Sequence, residues 1–182
     1  MGRIVNVILA KGYYLYKLLR LIFASPGHIL GLAETLLFSE IRPFGRVHIL
    51  LKGPNGEIKC DEWCPNLIVT TGKNHIADQM SDQGQAQMSH MAIGTGTTAA
   101  AAGDTALETE LDRNALTSVT QSDNTVEYVG DWAAGDGTGA ITEAGIFNAA
   151  AAGTMLCRSV FSVKNKAAGD TLSLTWVLTI SV

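Results

Sequence analysis

The last segment of the chain is the feature that most restricts its fold. Between Thr171 and Ser181 every second residue is apolar. These apolar residues are Leu172, Leu174, Trp176, Leu178 and Ile180. Successive side chains of a β-strand point to opposite faces, so the alternation predicts a half-buried strand with one apolar face and one largely polar face.

Other segments of strand composition precede it, with turn residues between them. The predicted strands are Arg46–Lys52, Glu57–Val69, Met88–Gly94, Leu116–Gln121, Thr125–Ala133, Ile141–Asn148 and Thr154–Val163. Gly53–Gly56 separates the first two, and its Asn-Gly pair can supply the positive φ values of a tight hairpin turn. Roughly eight short strands without alternating long helices favour antiparallel packing. We therefore expect a mainly β protein, an antiparallel, jelly-roll-like β-sandwich.

Two short helices and one loop interrupt the predicted strands. Thr71–Met80 is predicted to be a helix that Ile76 and Met80 help to seat on the core. The Thr-, Ala- and Gly-rich stretch Thr95–Gly103 is predicted to be a loop. Asp104–Leu111 is predicted to be a brief helix, because an aspartate can cap a helix N-terminus.

The first 40 residues differ from the rest of the chain. A dense apolar run with interspersed basic residues at Tyr13–Phe23 favours a helix, and Ser25–Gly27 breaks it before a second helix to about Phe38. The longest uncharged stretch, Leu21–Ala33, is shorter than the roughly 20 apolar residues of a membrane span. We expect a helical appendage over residues 1–43, a β-domain over residues 44–182, and no membrane partner.

The predicted appendage has more apolar surface than it can bury alone. It is expected to pack on the β-domain, on a neighbouring subunit or, with least support, on lipid. Large amphipathic rings elsewhere in the chain are also candidates for an interface. The candidate interface residues are Tyr13, Tyr16, Leu19, Phe23, Leu30, Leu37, Trp63 and Trp132.

Charge is scarce in this chain. Charged residues make up 16% of it and the formal net charge is −4, against roughly 25% charged residues in average soluble proteins. The shortage indicates either surface hidden against neighbours or a tightly folded monomer rich in Ala and Gly. An acidic chain without a basic stripe lacks the footprint of a phosphate-binding domain, so we expect no nucleic-acid partner.

The histidines and cysteines do not form a strong metal or catalytic pattern. None of the four histidines belongs to a spaced pair such as His-Glu-x-x-His. Cys60 and Cys64 could contribute to a zinc site only if His48 and Cys157 joined them. Free thiols are the favoured interpretation, with zinc and a crosslink as alternatives, and we expect no metal, no cofactor and no catalytic residue.

Two other patterns suggest chemistry only superficially. Gly94–Thr98 resembles a phosphate-cradling loop but lacks the lysine of the P-loop, so a surface turn leaving a strand is the expectation. Paired acids such as Glu108 with Glu110, and Asp131 with Asp136, are expected to be solvated loop acids, because a catalytic pair needs a cleft that raises one pKa.

Five segments together resemble a family of small virion proteins of tailed bacteriophages, described as head decoration, collar or tail-fibre-like proteins. They are Asn66–Asn74 (NLIVTTGKN), Met91–Thr98 (MAIGTGTT), Gly103–Leu107 (GDTAL), Ile141–Asn148 (ITEAGIFN) and Gly169–Trp176 (GDTLSLTW). The resemblance runs from about Asn66 to Val182 and implies a β-sandwich without enzymatic activity. Residues 1–40 are an addition to that pattern.

The resemblance implies a structural role in a phage particle for a chain made in the bacterial cytoplasm. We expect a decoration protein that binds the capsid or neck surface through self-association and its N-terminal helices. Its expected partners are further copies of itself, as a trimer, and capsid, portal or tail proteins. The alternative is a tail-fibre, collar or baseplate-attached module that binds a receptor or carbohydrate through the Gly94–Gly103 and Ala133–Gly139 loops.

Overall fold

The computed structural model describes residues 42–181. Within them the chain forms ten strands and one helix. In chain order these are β1 (Arg42–Lys52), β2 (Ile58–Pro65), β3 (Leu67–Ile68), α1 (Thr70–Met80), β4 (His90–Gly94), β5 (Glu110–Ala115), β6 (Ser118–Ser122), β7 (Thr125–Trp132), β8 (Gly139–Phe147), β9 (Met155–Lys166) and β10 (Thr171–Ser181). The protein is therefore mainly β over this part of its length.

The strands form two antiparallel sheets. In the described residues sheet 1 has the order β2-β1-β10-β7-β6, and sheet 2 has the order β3-β9-β8-β4-β5. Buried apolar side chains from both sheets belong to one core cluster, in which Ile49 and Trp176 come from sheet 1 and Ile93 and Ile146 from sheet 2. The core thus lies where the two sheets contribute their apolar faces.

The predicted hairpin at the start of the β region is confirmed. β1 and β2 pair antiparallel, and the turn is closed by a hydrogen bond from the Gly56 amide to the Gly53 carbonyl. Only Gly56 in this turn has a positive φ, +82°, whereas Asn55 does not. The expectation that the Asn-Gly pair supplies two positive φ values is therefore wrong, because Pro54 and Asn55 occupy the centre of the turn and Gly56 follows it.

Strand β10 and helix α1 also lie where the sequence predicts them. Leu172, Leu174, Trp176 and Leu178 are buried, whereas Ile180 at the strand end is partly exposed. Helix α1 lies so close to β9 that a Cβ at Gly72 would be 1.9 Å from the Leu156 carbonyl oxygen. Ile76 packs on the core as expected. The core role predicted for Met80 is wrong, since its side chain is 78% exposed at the helix end.

The helix predicted over Asp104–Leu111 does not form. Residues 104–109 are irregular with a few bends, and β5 begins at Glu110. A helix would direct the Glu108 amide to the carbonyl of the residue four positions earlier. That amide instead donates to the carboxylate of Glu143, and the Asp104 carboxylate pairs with Arg158. Long-range charge pairing therefore overrides the local capping signal.

The predicted helical appendage, residues 1–43, lies outside the described residues except for Arg42 and Pro43, which belong to β1. Among residues 42–181 no helix has the length and apolar character needed to cross a bilayer.

Candidate interface around Trp63

A row of large side chains lies on the face of sheet 1 that points away from the core. In β1 the buried residues Val47 and Ile49 alternate with Arg46 and His48, which therefore occupy the opposite face. Trp63 of β2 is directly opposite His48 in the strand pairing. Directly opposite residues share a face, so the hairpin brings these side chains together.

The side chains in this row contact one another closely. His48 Nε2 lies 2.6 Å from Asp61 Oδ1. The His48 and Trp63 ring centroids are 4.9 Å apart with an angle of 29° between the ring planes. The Arg46 guanidinium carbon lies 4.1 Å from the centre of the Trp63 ring, within the range of a cation–π contact. The indole is thus held by neighbours on its own hairpin.

Despite these contacts the aromatic surface remains open. Trp63 is 47% exposed, and Phe44, further along the same face of β1, is 56% exposed. We call the set Phe44, Arg46, His48, Asp61 and Trp63 the Trp63 patch. An exposed tryptophan and phenylalanine beside an arginine have the composition found at the centre of protein interfaces.

The geometry of the Trp63 patch suits binding. Its side chains extend from a paired hairpin that also pairs with β10, so the backbone beneath them is fixed on both sides of β1. A preorganised surface loses less side-chain freedom on association. Sequence patterns identified Trp63 as an interface candidate but missed Phe44, Arg46, His48 and Asp61. The length of the Gly53–Gly56 turn, which sets the strand register, is the signal that could have found them.

A second cluster of charged side chains is buried at sheet 2. Glu143 of β8 is fully buried and accepts hydrogen bonds from the amides of Gly96 (3.0 Å), Thr109 (2.8 Å) and Glu108 (3.1 Å). Arg158 Nε of β9 donates to Glu143 Oε2 at 2.9 Å. We call Glu143, Arg158 and their partners the Glu143 cluster. Its carboxylate fastens the loop before β5 to the sheet.

Acidic side chains at the rim of the Glu143 cluster are held in their charged form. Burial raises the pKa of Asp104, but hydrogen bonds from the Ala101 amide and Arg158 outweigh it and keep this pKa below its ordinary value. Hydrogen bonds from the Thr98 amide and hydroxyl lower the pKa of Glu108. Glu108 and Glu110 are exposed, as expected of solvated acids, but each also has a partner. Glu108 accepts hydrogen bonds from Thr98, and Glu110 pairs with Arg113 at 2.6 Å.

The glycine-rich segment Gly94–Thr98 surrounds this carboxylate. A Cβ at Gly94 or Gly96 would lie 2.6 or 2.5 Å from Glu143 Oε1, so side chains at these positions would displace it. Both glycines are buried, whereas Thr97 and Thr98 are exposed. The expectation of a surface turn is therefore only partly right, because the segment cradles an anion that the chain itself supplies.

A third charged group lies where β9 turns into β10. Asp170 is fully buried, and Lys59 Nζ lies 2.7 Å from its Oδ1. Lys166 is buried beside it and donates to the carbonyl oxygens of Ala133 (2.9 Å) and Asp170 (2.7 Å). Burial lowers the pKa of Lys166, and the hydrogen bond from Lys59 lowers that of Asp170. These contacts fasten the loops that follow β7 and β9.

The three cysteines are free thiols in the described structure. Burial, with the neighbouring Glu62 carboxylate, raises the pKa of Cys64 to about 11. Burial also raises the pKa values of Cys60 and Cys157. Across residues 42–181 no group of three His, Cys, Asp or Glu side chains is arranged to hold a metal ion.

An apolar groove of about 410 Å³ lies between α1 and the core-facing side of β6, β7 and β10. His75 of α1 lines it, and burial lowers the pKa of this histidine. Apolar side chains such as Val126, Tyr128 and Leu178 form its floor. The groove adds an apolar surface at one edge of sheet 1.

The predicted interface residues fall into three groups. Trp63 is exposed and therefore accessible to a partner. The interface role predicted for Trp132 is wrong, because its side chain is 1% exposed and belongs to the core. The remaining six lie outside the described residues. They are Tyr13, Tyr16, Leu19, Phe23, Leu30 and Leu37.

No protein-family model matches this chain, and neither a curated protein nor a solved structure is significantly similar to it. The Trp63 patch is therefore supported by its geometry and composition.

Proposed function

We propose that this chain is a structural component of a tailed-bacteriophage particle, a decoration protein that binds the capsid or neck surface. The observation that carries the proposal is the Trp63 patch, in which a tryptophan and a phenylalanine about half exposed share one rigid sheet face with an arginine. Such side chains contribute a large share of binding energy in protein interfaces. The five segments that resemble phage virion proteins support the phage assignment.

The finer fold we propose is a jelly-roll-like sandwich of the two sheets. Two contacts support it. The core cluster includes side chains of both sheets, and Lys164 of β9 forms an ion pair with Glu62 of β2 at 2.5 Å, which links an edge of one sheet to the other. In such a sandwich the inner faces of both sheets form the core, so the Trp63 patch lies on an outer face of sheet 1.

The proposal includes self-association, as a trimer, and contacts with capsid, portal or tail proteins. The N-terminal residues expected to take part lie outside the described residues, and their role stays a prediction. A chain that lacks residues 1–40 tests it, because the truncated protein should bind empty capsids more weakly than the full chain.

A binding assay with matched variants tests the proposal directly. The full chain is incubated with purified particles that lack it, and bound protein is measured after sedimentation. Trp63→Ala should weaken binding by about tenfold or more, as expected for a central tryptophan in an interface. Ile58→Ala is the control, since Ile58 lies on the same strand and is 62% exposed outside the Trp63 patch.

Two results would contradict the proposal. Equal binding of Trp63→Ala and the unchanged chain would remove the Trp63 patch from the interface. Absence of the protein's peptides from mass spectra of purified particles would remove the particle itself as its location.

A binding module for a receptor or carbohydrate is the second candidate. One observation favours it: the Ala133–Gly139 loop lies against the end of β4, where a Cβ at Gly137 would be 2.6 Å from Ile93 Cδ1. The Gly94–Gly103 loop begins at the residue after Ile93. A glycan array probed with the full chain should give hits that Trp63→Ala does not change, and an array without hits removes this candidate.

A further inference from the structure

One edge of sheet 1 differs from the other long edges of the two sheets. Among the described edge strands longer than two residues, β6 (Ser118–Ser122) alone contains neither a charged residue nor a proline. β2 contains Lys59, Asp61, Glu62 and Pro65, and β5 contains Glu110, Asp112 and Arg113. Charges and prolines are the usual means by which edge strands avoid pairing with another chain.

The outer side of β6 is open. All five of its residues are exposed, and within residues 42–181 its backbone pairs with β7 alone. An edge strand presents unpaired amides and carbonyls in the spacing that another strand requires. β6 is therefore a template for an added strand.

The sequence of β6 is complementary to itself. In an antiparallel pair centred on Thr120, each Thr120 is opposite the other, Ser118 is opposite Ser122, and Val119 is opposite Gln121. Directly opposite residues share a face, so the first two kinds of pair place hydroxyl groups together on one face. Such Ser and Thr pairs stabilise neighbouring strands, and no like charges meet.

We propose that β6 binds β6 of a second copy of this chain, so that two copies of sheet 1 join into one continuous antiparallel sheet. Pairing of identical antiparallel strands requires a two-fold axis, here at Thr120, and a two-fold interface closes on itself. The contact therefore joins copies in pairs, either as a dimer or as a link between chains of two of the proposed trimers.

This interface is separate from the Trp63 patch. β6 and β2 form opposite edges of sheet 1, so a copy paired at β6 leaves Trp63 uncovered. The inference rests on strand chemistry and does not require the proposed phage function. A failure of either proposal can therefore be recognised without the other.

Sedimentation equilibrium of the full chain over a range of concentrations tests the dimer. Thr120→Lys places two ammonium groups opposite each other across the axis and should weaken the dimer about fivefold or more. The monomer tolerates this change, because Thr120 is exposed and lies opposite Glu127 of β7. Thr105→Lys is the matched control, an exposed threonine in the loop before β5 that should leave the dimer unchanged.

Cysteine crosslinking gives an independent measurement. Thr120→Cys should form a disulfide-linked dimer on mild oxidation, because residue 120 meets its own copy on the axis. Ser122→Cys should form little, because it lies opposite residue 118. A chain that remains monomeric at all concentrations would overturn the proposal. A dimer that Thr120→Lys leaves unchanged would also overturn it. The same holds for a dimer that persists in Thr120→Lys and is lost only when residues 1–41 are removed.

Discussion

The Glu143 cluster and the Trp63 patch are built from similar groups and have opposite exposure. In the cluster, Arg158 is 3% exposed at its side chain and Glu143 is fully buried. In the patch, Arg46 and Asp61 are exposed, and the arginine contacts an indole ring rather than a buried carboxylate. The comparison shows that burial decides whether such groups stabilise the fold or remain available to a partner.

The energetic reason is the cost of removing charge from water. A buried ion pair tolerates no loss of a partner, because the remaining charge is left without compensation. Exposed pairs contribute about 0–1 kcal/mol, since water solvates either partner alone. We therefore expect mutations in the Glu143 cluster to reduce the free energy of unfolding and mutations in the Trp63 patch to affect binding.

The largest effect is expected from Arg158→Ala. It leaves Glu143 buried without its cation and removes the partner of Asp104, so the free energy of unfolding should fall by about 3–5 kcal/mol. Urea unfolding followed by circular dichroism measures it. If the variant does not fold, Asp104→Asn, which removes only the rim partner, should give a measurable smaller loss. A loss below about 1 kcal/mol for Arg158→Ala would make the cluster equivalent to a surface pair.

Gly96→Ala should destabilise the protein by about 1–3 kcal/mol, because the new methyl group would displace the Glu143 carboxylate or the Glu108 side chain. Gly103→Ala in the same loop is the matched control. A Cβ at Gly103 meets no atom within 4 Å, so this change should be neutral or slightly stabilising. Thermal unfolding of both variants measures the difference. Equal melting temperatures would show that the space between Gly96 and the Glu143 carboxylate can accommodate a methyl group.

Lys59→Met should give a loss of stability that depends on pH. Lys59 lowers the pKa of Asp170 from its usual 3.8. The contribution of this ion pair to the free energy of unfolding is therefore complete above pH 3.8 and disappears as the pH falls through the lowered pKa. The difference from the unchanged chain should be constant near pH 7 and shrink below about pH 4. Urea unfolding at several pH values measures it, with the exposed Lys73→Met as control. A difference that stays constant down to pH 2 would contradict this linkage.

The smallest effect on folding is expected from Arg46→Ala. Loss of the contact with Trp63 at an exposed site should lower the free energy of unfolding by about 0.5–1 kcal/mol. The same variant should weaken particle binding, because the arginine belongs to the Trp63 patch. A loss of stability as large as that of Arg158→Ala would erase the distinction between the two regions.

Local patterns predicted much of the fold. The alternation in β10, the Gly53–Gly56 turn and the helix after Val69 depend on residues close in sequence, and all three lie where expected. The wrong helix after Asp104 has the opposite origin, because the partners of this loop, Glu143 and Arg158, are distant in sequence.

One feature of the sequence does indicate the Glu143 cluster, namely an acidic residue within an apolar strand. Glu143 lies within Ile141–Phe147, a strand otherwise composed mostly of apolar or small residues. Central strands that are buried on both faces have such runs, so a glutamate within one is expected to need a buried partner. The identity of that partner, Arg158, depends on the pairing of β8 with β9 and cannot be derived from spacing alone.

The way the Glu143 cluster holds its loop makes the protein a scaffold for displaying foreign peptides. Gly96 and Glu108 anchor the two ends of the loop, and Ala99 between them is exposed. Exposed loop tips tolerate insertions when the backbone on either side remains bonded. An epitope inserted after Ala99 would therefore be held at both ends, and a multi-copy assembly would present it many times on one surface.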